Sequence, residues 1–360
     1  MSLDVLLKTN PYSFEKTEKS PILTKELNML TQYHYNNCQP YQRILKGFDF
    51  DPFDNIEHYK ELLPLPVRLF KELTLKSIAD DKIVKTMTSS GTSGQTVSKI
   101  YLDKYTALAQ QNVGVKITAG FLEIPRMPLI IVDSPSILKS RTSYSARSAA
   151  VLFFSLFGRD KIFALDDDMN IDLAKIESFM NKHKGQPILY FGFTFIVWQH
   201  FYKPLADAGI IFTDTEGILI HSGGWKNMLS MRVSPKQFKY ELAQVCGITR
   251  VHNEYGIAEQ SGTIYFECEH DSFHASIFSD IVVRREKDLS VCNFGEPGII
   301  ELVSILPHSY PGHALLTEDE GVIIGEDDCP CGRMGKYFRV LGRIHNAELR
   351  GCSDTYEVSN

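Results

Sequence analysis

A loop rich in hydroxyl groups and glycine is the first part of this sequence that could do chemistry. Residues 88–99 are TSSGTSGQTVSK, with Gly91 and Gly94 set among serines and threonines. Glycine lets backbone N–H groups turn toward an anion without steric cost, and the hydroxyls add donors without adding charge. A Walker A loop needs glycine directly before its lysine, whereas Ser98 precedes Lys99 here. The loop therefore predicts phosphate binding of another kind, with a flexible surface loop as the alternative.

Two further segments combine glycine, aromatic and acidic residues directly after apolar runs. HSGGWK (221–226) places Gly223 and Gly224 where the backbone could lie against a flat base, and HNEYGIAEQSG (252–262) contains Tyr255 and Glu259. An aromatic face suits a purine, and a hard cation that bridges phosphates prefers a carboxylate oxygen. Taken singly, Tyr255 could be an ordinary buried tyrosine and Glu259 an exposed carboxylate.

Cysteine and histidine residues form a third group with metal-binding chemistry. FECEHDSFH (266–274) contains Cys268 and His274, and DDCPCGR (327–333) contains Cys329 and Cys331. Three thiolates and one imidazole make a tetrahedral Zn²⁺ set with no open position, so such a zinc would be structural. His270 is a rival to His274, and reduced cysteines without metal are the alternative.

The elements that position these groups alternate between strands and helices. Strands are predicted at 129–132, 188–191, 218–221, 249–252 and 299–304, with helices near 105–120, 145–157, 172–184, 195–208 and 235–246. Ser234, Pro235 and Gly247 mark the ends of the last helix, and one long helix is predicted over residues 23–45. This alternation indicates an α/β fold with parallel sheets flanked by helices, in which ligands lie beyond the carboxyl ends of the strands.

The pattern divides the chain into four segments. Residues 1–80 are a helical part of the main domain, 81–265 an α/β core that contains the candidate phosphate- and base-binding segments, 266–340 a smaller β-rich part with the candidate zinc site, and 341–360 the last stretch of the sequence.

Composition narrows the class of protein. Hydrophobic residues make up 43% and charged residues 23% of the 360, which are globular values. A net charge of −6 disfavours binding to nucleic acid. No secretory signal and no run long enough to span a bilayer is recognisable, and seven cysteines do not suggest a disulfide framework. A cytoplasmic protein is expected.

The order of the segments resembles the acyl-adenylate-forming superfamily, which includes acyl-CoA synthetases, luciferases and peptide-synthetase adenylation domains. The resemblance implies that ATP and Mg²⁺ are used, that Tyr255 stacks on adenine, and that Glu259 holds Mg²⁺. LLTEDEG (315–321) and LGRIHNAELRG (341–351) extend it, so that Asp319 would bind the ribose hydroxyls and Arg343 would lie near ribose and the α-phosphate. The residues that match its phosphate loop, and so would bind the ATP phosphates, are Ser89, Ser90, Gly91, Thr92, Ser93 and Gly94.

Within that superfamily the chain is similar to the acyl-protein synthetases, or LuxE-like proteins, and the cysteine-histidine pattern also resembles that of the phenylacetate-CoA ligases. The sequence ends 17 residues after Arg343, where the superfamily normally continues with a mobile domain. The resemblance implies that residues 81–265 are the nucleotide- and acyl-binding core, that residues 341–360 are a hinge remnant and tail, and that the mobile domain is absent or reduced to this short tail. By the resemblance, Cys352 accepts the acyl group from the adenylate, and a partner such as an acyl reductase takes it next.

The predicted function is thus ATP-dependent activation of a carboxylic acid, expected to be a fatty acid, and transfer of the acyl group to a protein thiol. Two alternatives stay open at this point: an aryl- or acyl-CoA ligase that uses free CoA, and a non-enzymatic scaffold stabilised by zinc. Pyrophosphate exchange separates enzyme from scaffold, and thioester formation with added CoA separates the two enzymes.

Overall fold

The computed structural model describes residues 2–54, 56–89, 97–124, 126–138, 146–212, 216–225 and 232–344. The chain forms two compact units. The first contains the described residues within Met1–Phe121 and Gly256–Leu349, and the second those within Leu122–Tyr255. This division follows packing, whereas the four segments predicted from the sequence follow function, and their boundaries stay a prediction.

The helices and strands are numbered in chain order. The helices are α1 (Leu3–Leu6), α2 (Lys16–Asn37), α3 (Gln39–Gly47), α4 (Leu69–Glu72), α5 (Lys104–Leu122), α6 (Ala146–Phe154), α7 (Leu173–Lys182), α8 (Thr194–Ile196), α9 (Lys203–Asp207) and α10 (Pro235–Cys246). The strands are β1 (Leu65–Pro66), β2 (Lys85–Thr88), β3 (Lys99–Leu102), β4 (Met127–Val132), β5 (Gly158–Phe163), β6 (Ile188–Phe193), β7 (Gly217–Ser222), β8 (Ile248–Tyr255), β9 (Tyr265–Glu267), β10 (Phe273–His274), β11 (Ser279–Arg284), β12 (Gly298–Ser304), β13 (Ala314–Glu326) and β14 (Lys336–Arg343). A π-helical turn over Val197–Tyr202 joins α8 to α9. None of the helices within the described ranges has both the length and the apolar character that a membrane span requires.

The second unit is built on a parallel sheet with strand order β5-β4-β6-β7-β8. β4 and β6 are buried along their whole length, as expected for strands covered on both faces. The predicted strands in this region and the helix over 235–246 are confirmed. The Ser234 hydroxyl caps that helix by accepting from the Gln237 N–H at 3.2 Å, and Gly247 ends it with φ +64°.

The first unit contains an antiparallel sheet with strand order β11-β12-β13-β14-β10-β9, and β1 pairs in parallel with β13. The β-rich stretch predicted after residue 265 is therefore present. β2 and β3 form a separate antiparallel hairpin whose last pair is Thr88 with Lys99. The residues predicted to bind phosphate begin directly after this pair.

The single long helix predicted over residues 23–45 is wrong. Two helices occupy the region, α2 and α3, and Cys38 between them is extended with φ −129° and ψ 98°. Pro40 explains the break, because proline lacks an N–H group and its ring clashes with the carbonyl four residues earlier in a continuous helix. Proline is accepted in the first turn of α3, where that N–H would have no partner within the helix.

A buried charge cluster fastens α2 to the antiparallel sheet. The Asp280 carboxylate lies 3.6 Å from Lys19 Nζ and 3.5 Å from Lys336 Nζ, and it accepts a hydrogen bond of 2.5 Å from the Tyr59 hydroxyl. Burial by itself would raise the pKa of Asp280, but the two ammonium groups lower it to about 2. The ionised carboxylate of Asp280 is therefore tied to three other segments of the first unit, through Lys19, Tyr59 and Lys336.

Two stacked histidines join α2 to the segment that precedes β13. The His34 and His313 rings lie 5.1 Å apart, and both side chains are buried. His34 Nε2 donates to the Pro307 carbonyl at 2.9 Å, and His313 Nε2 contacts the Thr31 hydroxyl at 2.8 Å. Burial is the main cause that lowers the pKa of both imidazoles, that of His313 to about 3. The charge on His313 lowers the pKa of His34 further, and the charge on His308 lowers the pKa of both. Both rings are neutral in the folded state at neutral pH.

These histidines predict a loss of stability in acid. A histidine whose pKa is lower in the folded than in the unfolded state stabilises the fold fully above the unfolded pKa, near 6.5, and progressively less as the pH falls. One such residue costs about 1.3 kcal/mol between pH 7.0 and pH 5.5. Urea unfolding at the two pH values should therefore show that His313→Gln loses about 1.3 kcal/mol less than the parent. An equal loss in both proteins would contradict this role for His313.

Candidate functional site

The predicted base-binding residues lie at one edge of the parallel sheet. Gly223 and Gly224 directly follow β7, and Tyr255 is the last residue of β8. β7 and β8 are parallel neighbours in which Ser222 pairs with Glu254, so these residues belong to the carboxyl edge of the sheet. This is the edge at which α/β proteins bind their ligands. Tyr255 is buried, with 2% of its surface exposed.

The carboxyl ends of β6 and β7 also carry polar groups that sequence reasoning missed. His221 and Thr194 are buried in the second unit, and Thr194 Oγ1 lies 2.8 Å from His221 Nδ1. Burial, followed by the charge on Lys239, lowers the pKa of His221 to about 3. A histidine within an otherwise apolar strand was the available sequence signal, but nothing in the sequence indicates its partner.

Glu259 occupies a turn of 3-10 helix over Ala258–Gln260 in the first unit. Its side chain is fully buried, and neither carboxylate oxygen has a hydrogen-bond partner among the described residues. Gln260 holds the turn in place by donating from Nε2 to the Leu302 carbonyl at 2.9 Å and to the Gly312 carbonyl at 2.8 Å. A buried carboxylate is costly without compensation, so this donor set fits a cation.

Gly262 allows the turn to pack closely against α5. Its φ is +86°, a conformation that favours glycine, and a Cβ there would lie 2.5 Å from the carbonyl oxygen of Gln110. On the same helix, the Gln110 side chain donates to the Tyr310 hydroxyl at 3.0 Å. Burial raises the pKa of Tyr310, and the Glu259 charge adds to this effect. The Glu259 turn is therefore packed and hydrogen-bonded on several sides within its own unit.

The predicted ribose-binding residues face each other across two paired strands. Asp319 of β13 is the register partner of Arg343 of β14, and the Asp319 carboxylate lies 3.7 Å from a guanidinium nitrogen. Arg343 also contacts Glu318 at 2.8 Å. Of the three acidic residues in this segment, Asp319 is the buried one, with 2% of its surface exposed. The sequence alone left the choice among these three acids open.

The phosphate loop falls largely outside the described residues. Ser89 is described, whereas Ser90, Gly91, Thr92, Ser93 and Gly94 are not. The Ser89 hydroxyl accepts from the Ser98 N–H at 3.0 Å, and the Ser89 N–H donates to the Ser98 carbonyl at 3.2 Å. These bonds extend the hairpin of β2 and β3 by one pair, so the loop connects two paired strands. Cys352 also lies outside the described residues.

The four predicted metal ligands come together in the first unit. The ligand atoms of Cys268, His274, Cys329 and Cys331 all lie within 4.8 Å of one another. Cys268 and His274 belong to the β9–β10 hairpin, and the two other cysteines to the connection between β13 and β14. Because β10 pairs with β14, with His274 opposite Tyr337, the two turns meet at the same end of the sheet. His270 is exposed and is not part of the group, and its backbone N–H donates to the Cys268 sulfur at 3.4 Å.

The distances within this cluster fit a tetrahedral zinc site. The sulfurs of Cys268 and Cys329 are 4.0 Å apart, and the Cys331 sulfur lies 3.3 Å from His274 Nε2. Zn–S bonds of about 2.3 Å and Zn–N bonds of about 2.1 Å imply separations of roughly 3.8 and 3.6 Å in a tetrahedron. A hydrogen bond to the Cys331 sulfur, followed by burial, raises the pKa of the Cys268 thiol. Three thiolates at these distances would require a compensating cation.

Residues 2–359 match the family described as "Acyl-protein synthetase, LuxE". The chain belongs to this family. A relative from Vibrio harveyi, named long-chain-fatty-acid–luciferin-component ligase, is 20% identical over 97% of this chain and 91% of its own length. A relative of the same name from Aliivibrio fischeri is 23% identical over 97% and 92%. The predicted acyl-protein synthetase family, and with it an ATP-dependent acyl-activating ligase, is confirmed.

Solved structures confirm the predicted fold class. The chain resembles 2-hydroxyisobutyryl-CoA ligase in its postadenylation state, with a TM-score of 0.70 and 16% identity over 93% of this chain and 70% of that one. An open conformation of the same ligase gives a TM-score of 0.71 and 17% identity over 94% and 77%. At these identities the likeness establishes the adenylate-forming fold of the acyl-protein synthetase, and it does not identify the acid or the acceptor.

Proposed function

We propose that this acyl-protein synthetase activates a long-chain fatty acid with ATP and passes the acyl group first to its own Cys352 and then to a partner protein. The family assignment and the names of the relatives from Vibrio harveyi and Aliivibrio fischeri support a fatty acid and a protein acceptor. The partner we propose is an acyl reductase, and six reduced cysteines among the described residues are consistent with a cytoplasmic setting.

The observation that carries the proposal is the Glu259 carboxylate. Its full burial without a hydrogen-bond partner in the described structure is unfavourable for an isolated acid and suits a ligand for Mg²⁺. Bound there, Mg²⁺ would neutralise charge on the ATP phosphates. Gln260 and Gly262 hold the Glu259 turn in place, so the carboxylate is organised before any cation arrives.

We assign the remaining roles residue by residue. Gly223 and Gly224 would present backbone to the adenine base, with Tyr255 stacked on it. Asp319 would accept hydrogen bonds from both ribose hydroxyls, because a carboxylate can take two O–H donors at once. Arg343, already paired with Asp319 and Glu318, would orient that carboxylate and contribute positive charge for the α-phosphate. The phosphate loop that we propose contains Ser89, Ser90, Gly91, Thr92, Ser93 and Gly94.

The reaction would proceed in two substitutions. A carboxylate oxygen of the acid attacks the α-phosphorus of ATP, the bond to the β-phosphate oxygen breaks, and pyrophosphate leaves. The resulting acyl-adenylate is a mixed anhydride, so the Cys352 thiolate can attack its carbonyl carbon and release AMP. The thiol proton goes to solvent, and the thioester carries the acyl group to the partner.

The Cys–His cluster would hold a structural Zn²⁺ through Cys268, His274, Cys329 and Cys331. Four protein ligands leave no position for substrate, so the proposed role is to join the β9–β10 turn to the β13–β14 connection. Arg333 stacks on the Phe121 ring at 4.4 Å and favours the Cys331 thiolate, so it would balance part of the negative charge of the site.

Adenylation predicts a strong effect of Glu259→Gln. The amide keeps the size of the side chain and removes its charge, so Mg²⁺-dependent pyrophosphate exchange should fall by about a hundredfold or more. The exposed Glu286→Gln is the matched control and should exchange at the parent rate. Fatty acids of graded chain length would serve as substrates. Exchange at parental rates by Glu259→Gln with every acid that works would disprove the magnesium assignment, and absence of exchange in the parent would disprove the proposed function.

The zinc proposal predicts about one zinc per chain in protein purified without chelator. Cys329→Ala should lose the metal and unfold at lower temperature, because metal binding contributes to folding. Cys246→Ala removes a buried cysteine of the other unit and should keep the zinc. Elemental analysis and thermal unfolding are the measurements. Less than about half an equivalent of zinc in the parent would argue against a closed site.

Acyl transfer predicts a covalent intermediate on Cys352. Incubation with ATP, Mg²⁺ and a labelled fatty acid should leave label that hydroxylamine removes, as expected for a thioester. Cys352→Ser should lose this label and keep pyrophosphate exchange, whereas Cys292→Ser should keep both. Undiminished thioester label in Cys352→Ser would move the nucleophile to another residue. Thioester formation with free CoA instead of protein would favour a CoA ligase.

A further inference from the structure

Thr194 holds the backbone of the glycine pair after β7. It begins α8, directly after β6, and its side chain is 2% exposed. Its hydroxyl donates to the Gly223 carbonyl at 2.5 Å and lies 3.2 Å from the Ser222 carbonyl. Because a carbonyl oxygen and the following N–H point in opposite directions across one peptide plane, this bond orients the Gly224 N–H away from Thr194.

The direction of the hydrogen bonds around Thr194 follows from the acceptors. Carbonyl oxygens only accept, so the single hydroxyl hydrogen must point to one of them, and the contact with His221 must run the other way. His221 Nδ1 therefore carries a hydrogen and donates to Thr194 Oγ1 across 2.8 Å. The buried imidazole is neutral, since burial lowers its pKa to about 3, so this tautomer persists at neutral pH. His221, Thr194 and Gly223 thus form one directed chain of hydrogen bonds.

Packing holds both ends of the glycine pair. On one side, the His221 ring lies 5.1 Å from the Phe238 ring of α10. On the other, Trp225 packs against the same phenylalanine at 6.2 Å and against Trp198 at 5.8 Å. Neither glycine has a side chain that could pack against its neighbours and fix the backbone, and Gly223 adopts φ +69°. The orientation of the peptide between them therefore depends on the hydroxyl of Thr194.

A glycine before Thr194 makes this approach possible. A Cβ on Gly192 would lie 2.8 Å from Val197 Cγ2 and 2.9 Å from Val132 Cβ, closer than side chains pack. Glycine at the end of β6 allows the helical stretch to turn tightly over the strand ends, which brings Thr194 within reach of β7. The position of Thr194 next to β7 therefore depends on the glycine at position 192 of β6.

We infer that Thr194 is a positioning residue for nucleotide recognition and that its hydroxyl, backed by His221, sets the Gly223–Gly224 peptide against which the purine base lies. This inference rests on the proposed function, in which those glycines face adenine. Thr194 would not touch the reacting atoms. Its effect would therefore appear in the affinity for the nucleotide and in the discrimination between adenine and other bases, and the chemical step would change little.

The test compares two substitutions that differ in the hydroxyl. Thr194→Val keeps the branched shape without the hydroxyl, and Thr194→Ser keeps the hydroxyl. In pyrophosphate exchange with a fatty acid, Thr194→Val should raise KM for ATP about five- to tenfold, the effect of losing one hydrogen bond, with kcat within about twofold. Its preference for ATP over GTP should fall by a similar factor. Thr194→Ser should stay within about twofold of the parent in all three quantities.

His221 supplies a second pair of variants in case Thr194→Val folds poorly. His221→Asn offers an amide N–H in place of the imidazole donor and should behave like Thr194→Ser, whereas His221→Leu should behave like Thr194→Val. Thermal unfolding of each variant separates a folding defect from a binding defect. A parental KM for ATP and a parental ATP preference in folded Thr194→Val, or in folded His221→Leu, would overturn the inference. Absence of exchange in the parent would instead overturn the proposed function.

Discussion

Burial of the parallel sheet on both faces limits where the second unit can place polar chemistry. β4 and β6 are buried throughout, and β7 is buried up to His221. A polar ligand cannot approach such strands from the side, so the groups that bind it must collect where the strands end. Gly223, Gly224 and Tyr255 occupy that edge. Because β7 and β8 run in the same direction, they bring together Gly223 and Tyr255, which are 32 positions apart in the sequence.

The first unit is built on an antiparallel sheet, in contrast to the parallel sheet of the second unit. Its antiparallel strands return on themselves, so turns from distant parts of the chain lie side by side at one end of the sheet. The pairing of β10 with β14 brings Cys268 and His274 to the two cysteines of the β13–β14 connection. The pairing of β13 with β14 likewise sets Asp319 opposite Arg343. In both cases strand register, and no local sequence feature, selects which side chains meet.

Two buried carboxylates of the first unit, those of Asp280 and Glu301, are compensated by neighbouring positive charge. Asp280 is held by two lysines and a tyrosine, and Glu301 pairs with Arg284. Against these examples, the buried Glu259 carboxylate without a hydrogen-bond partner in the described structure stands apart. An acid that the fold leaves uncompensated is a candidate for function, because the missing partner can be supplied by a bound cation.

The sequence by itself determined the fold class, four of the five strands of the parallel sheet, α10 with its caps, and the three cysteines of the cysteine-histidine cluster. These follow from periodicity, capping chemistry and ligand type, which are local properties of the chain. It missed the break at Cys38, because the apolar pattern continues past Pro40. Only the tertiary structure decided that His274 and not His270 joins the cluster, that Asp319 is the buried acid beside Arg343, and that Thr194 orients Gly223. Each of these depends on how strands pair and pack, a property of residues far apart in sequence that no local pattern records.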